Sequence, residues 1–189
     1  MTYALITPPA AEPLTLAEAK AHLRLDGNEE DGLILSLITT AREFLERETG
    51  LCLIRQRWRL YLDCWPGDGV IRILKSPVQA IQNVAVYDAD GEPQAVLLAD
   101  HLLDGDGRPA RLWLRDPPKP GRAVNGIEID FAAGFGEAAT DIPDTLKRAM
   151  LSHVAHMFAL RGAISPEQQP GGLPVGYERL IAPFRMRRL

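Results

Sequence analysis

The chain has 189 residues, 46% of them apolar and 24% charged, which suits a globular protein with one good hydrophobic core or a core plus a smaller lobe. Its net charge of −4 argues against a protein that coats nucleic acid, because phosphate neutralisation needs a basic excess. The opening Met1–Ala10 lacks a basic stretch, and apolar runs such as Ala95–Ala99 are far too short to cross a bilayer, so a cytosol-like compartment and no membrane partner are expected.

Pro8, Pro9 and Pro13 make residues 1–13 a poor helix, and they read as an extended arm that pairs outside its own core. Thr15 and Glu18 then have capping-box spacing and open a short helix over about 15–25, ended by Asp26-Gly27-Asn28. A second helix is predicted from Asn28 to Thr49. Ile34, Leu37, Ile38, Ala41 and Leu45 form its buried stripe, and Gly50 stands where a left-handed cap is wanted. From Cys52 the period becomes two: Cys52, Ile54, Gln56, Trp58, Leu60 and Leu62 alternate with a face carrying Arg55, Arg57 and Arg59.

Cys52 and Cys64 lack C-x-x-C spacing and are expected to be reduced and partly buried. Further strands are predicted at 70–74, 81–87, 95–99, 111–115 and 126–132, with a hairpin turn at Asp88–Gly91. Helical period returns at Asp141–Asp144, where Pro143 suits a first turn, and Leu146, Met150, Val154 and Met157 line a face up to Gly162. Together these elements predict an α+β fold: a helical bundle of 14–50 and 141–162, an inserted β-rich lobe over 51–140, and extended termini.

Catalytic chemistry finds little support. His153 and His156 share a helix face, but no HExxH or further ligand set accompanies them, so a small metal-dependent hydrolase is the weaker alternative. No serine sits in a G-x-S-x-G turn, and Gly134-Phe135-Gly136 lacks the third glycine of a phosphate loop. No catalytic residue, cofactor or metal ligand is assigned.

Two features suit assembly instead. Arg55, Arg57 and Arg59 project from one strand face about 7 Å apart, either as a solvated face or as a contact to a neighbouring subunit or to phosphate. The segment 177–189 has four arginines against one glutamate, interspersed with Tyr177, Leu180, Ile181, Phe184, Met186 and Leu189. Arginine with aromatic and aliphatic anchors is the composition of a binding hot spot, so 163–189 reads as a partner-docking tail.

Several stretches resemble one family. They are Pro13–Arg24, the acidic Asp26–Asp31 loop, Ala41-Arg42 with Glu46–Gly50, and Gln56-Arg57-Trp58. Ser76-Pro77-Val78, Ala133–Gly136, Ile142-Pro143 and Leu180–Arg185 follow in the same order. Together they are similar to the head-tail connector (adaptor) proteins of tailed phages and phage-like gene transfer agents.

That resemblance implies a ring, typically twelve-fold, beneath the capsid portal in the neck of a particle assembled in a bacterial cytoplasm. The ring would extend the DNA channel, pass duplex DNA without reading its sequence, and carry a stopper or tail-side neck protein. Another neck ring, a stopper or tail-completion protein, is the nearest alternative. The resemblance implies that the C-terminal segment reaches the portal, through Tyr177, Arg179, Leu180, Ile181, Phe184, Arg185, Arg187 and Arg188. It leaves the strand-rich stretch 52–135 unexplained, because minimal members are nearly all helical. An acidic conduit would also slow DNA less than a basic one, since tight phosphate contacts act as brakes.

Overall fold

The computed structural model describes residues 1–160 and 173–185. The fold is α+β, and the chain divides into two compact units. One is strand-rich and takes Met1–Ala10 and Arg55–Phe135; the other is helical and takes Ala11–Ile54 and Gly136–Leu189.

In the helical unit, α1 spans Leu16–Leu23 and α2 spans Asp31–Thr49. The Thr15 hydroxyl accepts from the Glu18 N–H at 3.1 Å, and the Thr15 N–H donates to the Glu18 carboxylate at 2.7 Å, so both halves of the capping box form. Gly50 closes α2 at φ 74°, a conformation that favours glycine because it has no Cβ to clash. Helix α3 spans Asp144–Leu160 and packs on α1 and α2. Ile34, Ile38, Ala41 and Leu45 of α2 and Leu146, Ala149, Met150 and Val154 of α3 are fully buried. The expected face is therefore the core face.

Leu51–Ile54 do not begin a strand. They are buried in the helical unit, and a parallel bridge joins Ile54 to Gly136. A Cβ at Gly136 would run into the Asp141 carboxylate, so the backbone at Gly136 is close-packed. Cys52 is buried here, whereas Cys64 is exposed, contrary to the expectation of partial burial.

A buried ionic network holds two connecting segments to α2. Arg42 donates to Glu12 at 2.8 and 3.3 Å and to Glu46 at 3.2 Å, and the other Glu46 oxygen accepts the Leu53 N–H at 2.7 Å. The Thr39 hydroxyl donates to Glu12 at 3.0 Å. Buried charges persist only when paired and hydrogen-bonded, and this set is both.

The strand-rich unit contains β1 (Thr2–Thr7), β2 (Gln56–Leu62), β3 (Val70–Ile73), β4 (Val78–Tyr87), β5 (Pro93–Ala95), β6 (Leu102–Asp104), β7 (Ala110–Trp113) and β8 (Ile127–Ala133). They form an antiparallel five-stranded sheet in the order β1-β2-β8-β4-β5 and a three-stranded sheet β3-β7-β6. The expected outward-pairing arm is corrected: Thr2–Thr7 pairs with β2 of its own unit, and Tyr3 packs edge-on against Phe131 at 6.3 Å. The predicted strand at 95–99 stops at Ala95, and Leu102–Asp104 is a strand that periodicity did not mark. The core of this unit includes Leu60, Ile71, Ile73, Val84, Leu112, Ile127, Ile129 and Phe131.

Candidate functional site

The two surfaces expected to mediate assembly differ sharply once folded. On β2, alternation puts Gln56, Leu60 and Leu62 in the core and leaves Arg57 exposed, like Arg55 just before the strand. Register decides the fate of the third arginine. Arg59 lies directly opposite Asp130 of β8, and Tyr61 lies opposite Glu128. The Arg59 guanidinium therefore grips Asp130 at 2.6 and 2.9 Å and reaches Glu128 at 2.9 Å.

The Asp130 hydrogen bond is the largest influence raising the affinity of Arg59 for its proton, with partial desolvation opposing it. Arg59 is thus an internal tie and not a free contact for a neighbour. Arg57 reaches across β8, over the small Ala132, and donates to Gln82 of β4 at 2.8 Å, but its side chain stays exposed.

Removing Arg59 would leave Glu128 and Asp130 adjacent and uncompensated on β8. Arg59→Gln is expected to destabilise the chain by about 1–3 kcal/mol, a discounted figure because the arginine is partly solvated. Arg57→Gln, at an exposed side chain, should fall within about 0.5 kcal/mol of wild type in urea unfolding. Equal losses from the two variants would contradict this division.

At the C-terminal end, a short helix α4 spans Tyr177–Ile181 and runs into a 3-10 turn over Ala182–Phe184. Tyr177 is 1% exposed and Ile181 is 0% exposed. Tyr177 sits edge-on to His153 at 5.4 Å and to Phe44 at 6.1 Å, and Phe44 meets His153 at 5.0 Å. Arg185 donates to Glu48 of α2 at 3.2 Å and to Glu178 of α4 at 3.1 Å, clasping the short helix to the long one.

Tyr177 and Ile181, expected as anchors for a partner, are therefore core residues of their own unit. The composition was read correctly as apolar and aromatic, but its apolar face is spent internally. Arg179 is exposed, and Leu180, Phe184 and Arg185 are half-buried. Arg187 and Arg188 lie outside the described residues.

The histidine pair has a structural setting. His153 is buried in the aromatic cluster, its Nδ1 has no hydrogen-bond partner among the described residues, and His156 is half-buried. Among the described residues no group of three His, Cys, Asp or Glu side chains could hold a metal ion. Burial pushes the His153 imidazole below its ordinary range, and the neighbouring His156 adds to the shift. Between the lowered folded value and an ordinary value of roughly 6.5, the unfolded chain binds more protons than the folded one. His153 thus contributes stability that is present above that ordinary value and is lost as pH falls through the folded one. Melting midpoints should drop from about pH 7 to 5, and a His153→Leu variant should show a shallower drop over that window.

Residues 13–92 match the family of phage gp6-like head-tail connector proteins. No curated protein sequence matches the chain. Solved structures do. A chain in the neck of an empty gene transfer agent (GTA) particle, computed with C6 symmetry, is 28% identical with a TM-score of 0.83, covering 100% of this chain and 97% of its own. A chain in the virion of the native GTA particle is 29% identical with a TM-score of 0.81, at 100% and 97% coverage. A chain in the neck of the native particle, computed with C12 symmetry, is 28% identical with a TM-score of 0.80, again at 100% and 97% coverage. The strand-rich unit that minimal connectors do not explain is thus matched along with the helices, because the likeness runs over the full chain. Over residues 13–92 this chain is similar to the phage gp6-like head-tail connector proteins, and over its whole length its fold is similar to chains of gene transfer agent particles.

Proposed function

We propose that the chain is the adaptor subunit of a closed, twelve-fold ring bound beneath a capsid portal. The ring extends the DNA channel and presents the platform on which a stopper or tail-side neck protein assembles. The observation that carries this reading is the full-length likeness to a chain from a particle neck with twelve-fold symmetry. The helical unit is the connector proper, and the strand-rich unit is an elaboration inserted into it. Assembly takes place in the bacterial cytoplasm, and duplex DNA passes through the ring without sequence-specific contact.

The portal contact is assigned to the exposed Arg179 and the half-buried Leu180, Phe184 and Arg185, with Arg187 and Arg188 beyond the described residues. Arg55 and Arg57 are assigned to contact between neighbouring subunits, since both side chains are exposed. Phe184→Ala should weaken portal binding by roughly thirtyfold when measured well below its own melting midpoint.

Electron microscopy of the purified chain mixed with its portal tests the reading. Twelve copies stacked directly on the portal are the expected result. Rings that form only on another neck ring would make the chain a stopper instead, and one or two copies per portal would end the ring reading.

A further inference from the structure

The three-stranded sheet β3-β7-β6 turns one face inward, through Ile71, Ile73, Ala110 and Leu112, all buried. Its other face should be polar if it only met water, because an antiparallel sheet with one solvated side alternates apolar-in and polar-out. It is not. Register places Val70, Trp113 and Leu102 side by side across all three strands, and Leu74 continues the outward row of β3. Leu102 is 66% exposed, Leu74 is 42% exposed and Trp113 is 36% exposed. Exposed apolar side chains grouped this way mark an interaction site, whereas single ones are unremarkable.

The charges beside this row are already neutralised within the chain. Arg72 pairs with Asp68 at 2.8 Å, and Arg111 pairs with Asp104 at 2.7 Å. Trp and Arg side by side are the residue types that concentrate binding energy.

We propose that this face, centred on Trp113, is buried against a second copy of the chain in the assembled ring. The occupant follows from two observations and rests on the ring reading above. Copies of a chain with net charge −4 repel one another, so they approach at least electrostatic cost where the surface carries no net charge. This face has balanced, internally paired charges around an apolar centre. A ring also sets every subunit beside a copy of itself, and the closing contact is head-to-tail, joining this face to a different surface of the neighbour.

The test compares full-length chain, free and assembled on its portal, by hydroxyl-radical footprinting read by mass spectrometry. Trp113 and Leu102 should be labelled several-fold less in the ring than in the free chain. Leu102 lies at a sheet edge, so Leu102→Asp should keep the wild-type circular dichroism and melt while lowering ring yield roughly tenfold or more. Rings in which Trp113 is labelled as in the free chain, or wild-type ring yield from Leu102→Asp, overturn this proposal and leave the ring reading standing. Protection of Trp113 already present with a single copy on the portal also overturns it, because the portal would then be the cover. If no ring forms at all, the ring reading fails first and this contact fails with it.

Discussion

A chain stopped after Gly176 is expected to melt roughly 10–20 °C below the full-length protein, because residues beyond that point complete the helical core. The stop removes Tyr177 and Ile181, which are 1% and 0% exposed, together with the Arg185 clasp onto Glu48. Deleting a buried aromatic side chain typically costs about 3–5 kcal/mol and a buried isoleucine about 2–5, transfer and cavity terms together. Single variants separate the parts. Tyr177→Ala should cost most of the loss. Tyr177→Phe should cost almost nothing, since the buried hydroxyl has no hydrogen-bond partner among the described residues and burial pushes its ionisation well above the usual range. Differential scanning calorimetry of these chains decides the matter: an unchanged midpoint for the truncated chain would mean that the segment is an appendage and not part of the core.

The second large effect is expected at Arg42. Its guanidinium supplies the positive charge between Glu12 and Glu46, and its side chain is 10% exposed, as is that of Glu46. Arg42→Ala removes the guanidinium fork that both carboxylates share, and breaking a largely buried pair from one side costs up to about 3–5 kcal/mol. Arg42→Lys should recover only part of this, because an ammonium cannot reproduce the fork that reaches both Glu12 and Glu46. Urea unfolding measures each variant. If Arg42→Ala lies within about 0.5 kcal/mol of wild type, the network carries no net stabilisation.

Local features were legible from sequence because their physics is local. The Thr15–Glu18 box closes within one helical turn, and Gly50 has the left-handed conformation that a C-terminal cap asks for. The core stripes of α2 and α3 follow from helical period alone. Non-local pairing was harder. Thr2–Thr7 looked like an arm because its partner, residues 57–61, is remote in sequence and two prolines follow it. Leu102–Asp104 is too short to show a period among glycines and aspartates.

The assembly surfaces show the same limit. Alternation puts Arg59 on the outward face of its strand, but only strand register sets it opposite Asp130. Composition marked Tyr177 and Ile181 as anchors without saying whether the receiving groove belongs to this chain or to another. Arg42 and Glu46, noted only for a family likeness, form a buried network because Glu12 and the Leu53 N–H fold back onto α2.

The interleaving of the two units has a consequence for biosynthesis. The backbone passes from one unit to the other after Ala10, after Ile54 and after Phe135. Domains tend to fold as units while the chain emerges from the ribosome. Helices α1 and α2 emerge early but must wait for α3, which lies beyond residue 143. The strand-rich unit is complete once Phe135 has appeared. On the ribosome the later-encoded sheet can therefore set before the earlier-encoded helices have anything to close against. Until then the apolar stripe of α2 is held open, a nascent state that nearby chaperones or neighbouring nascent copies would meet first.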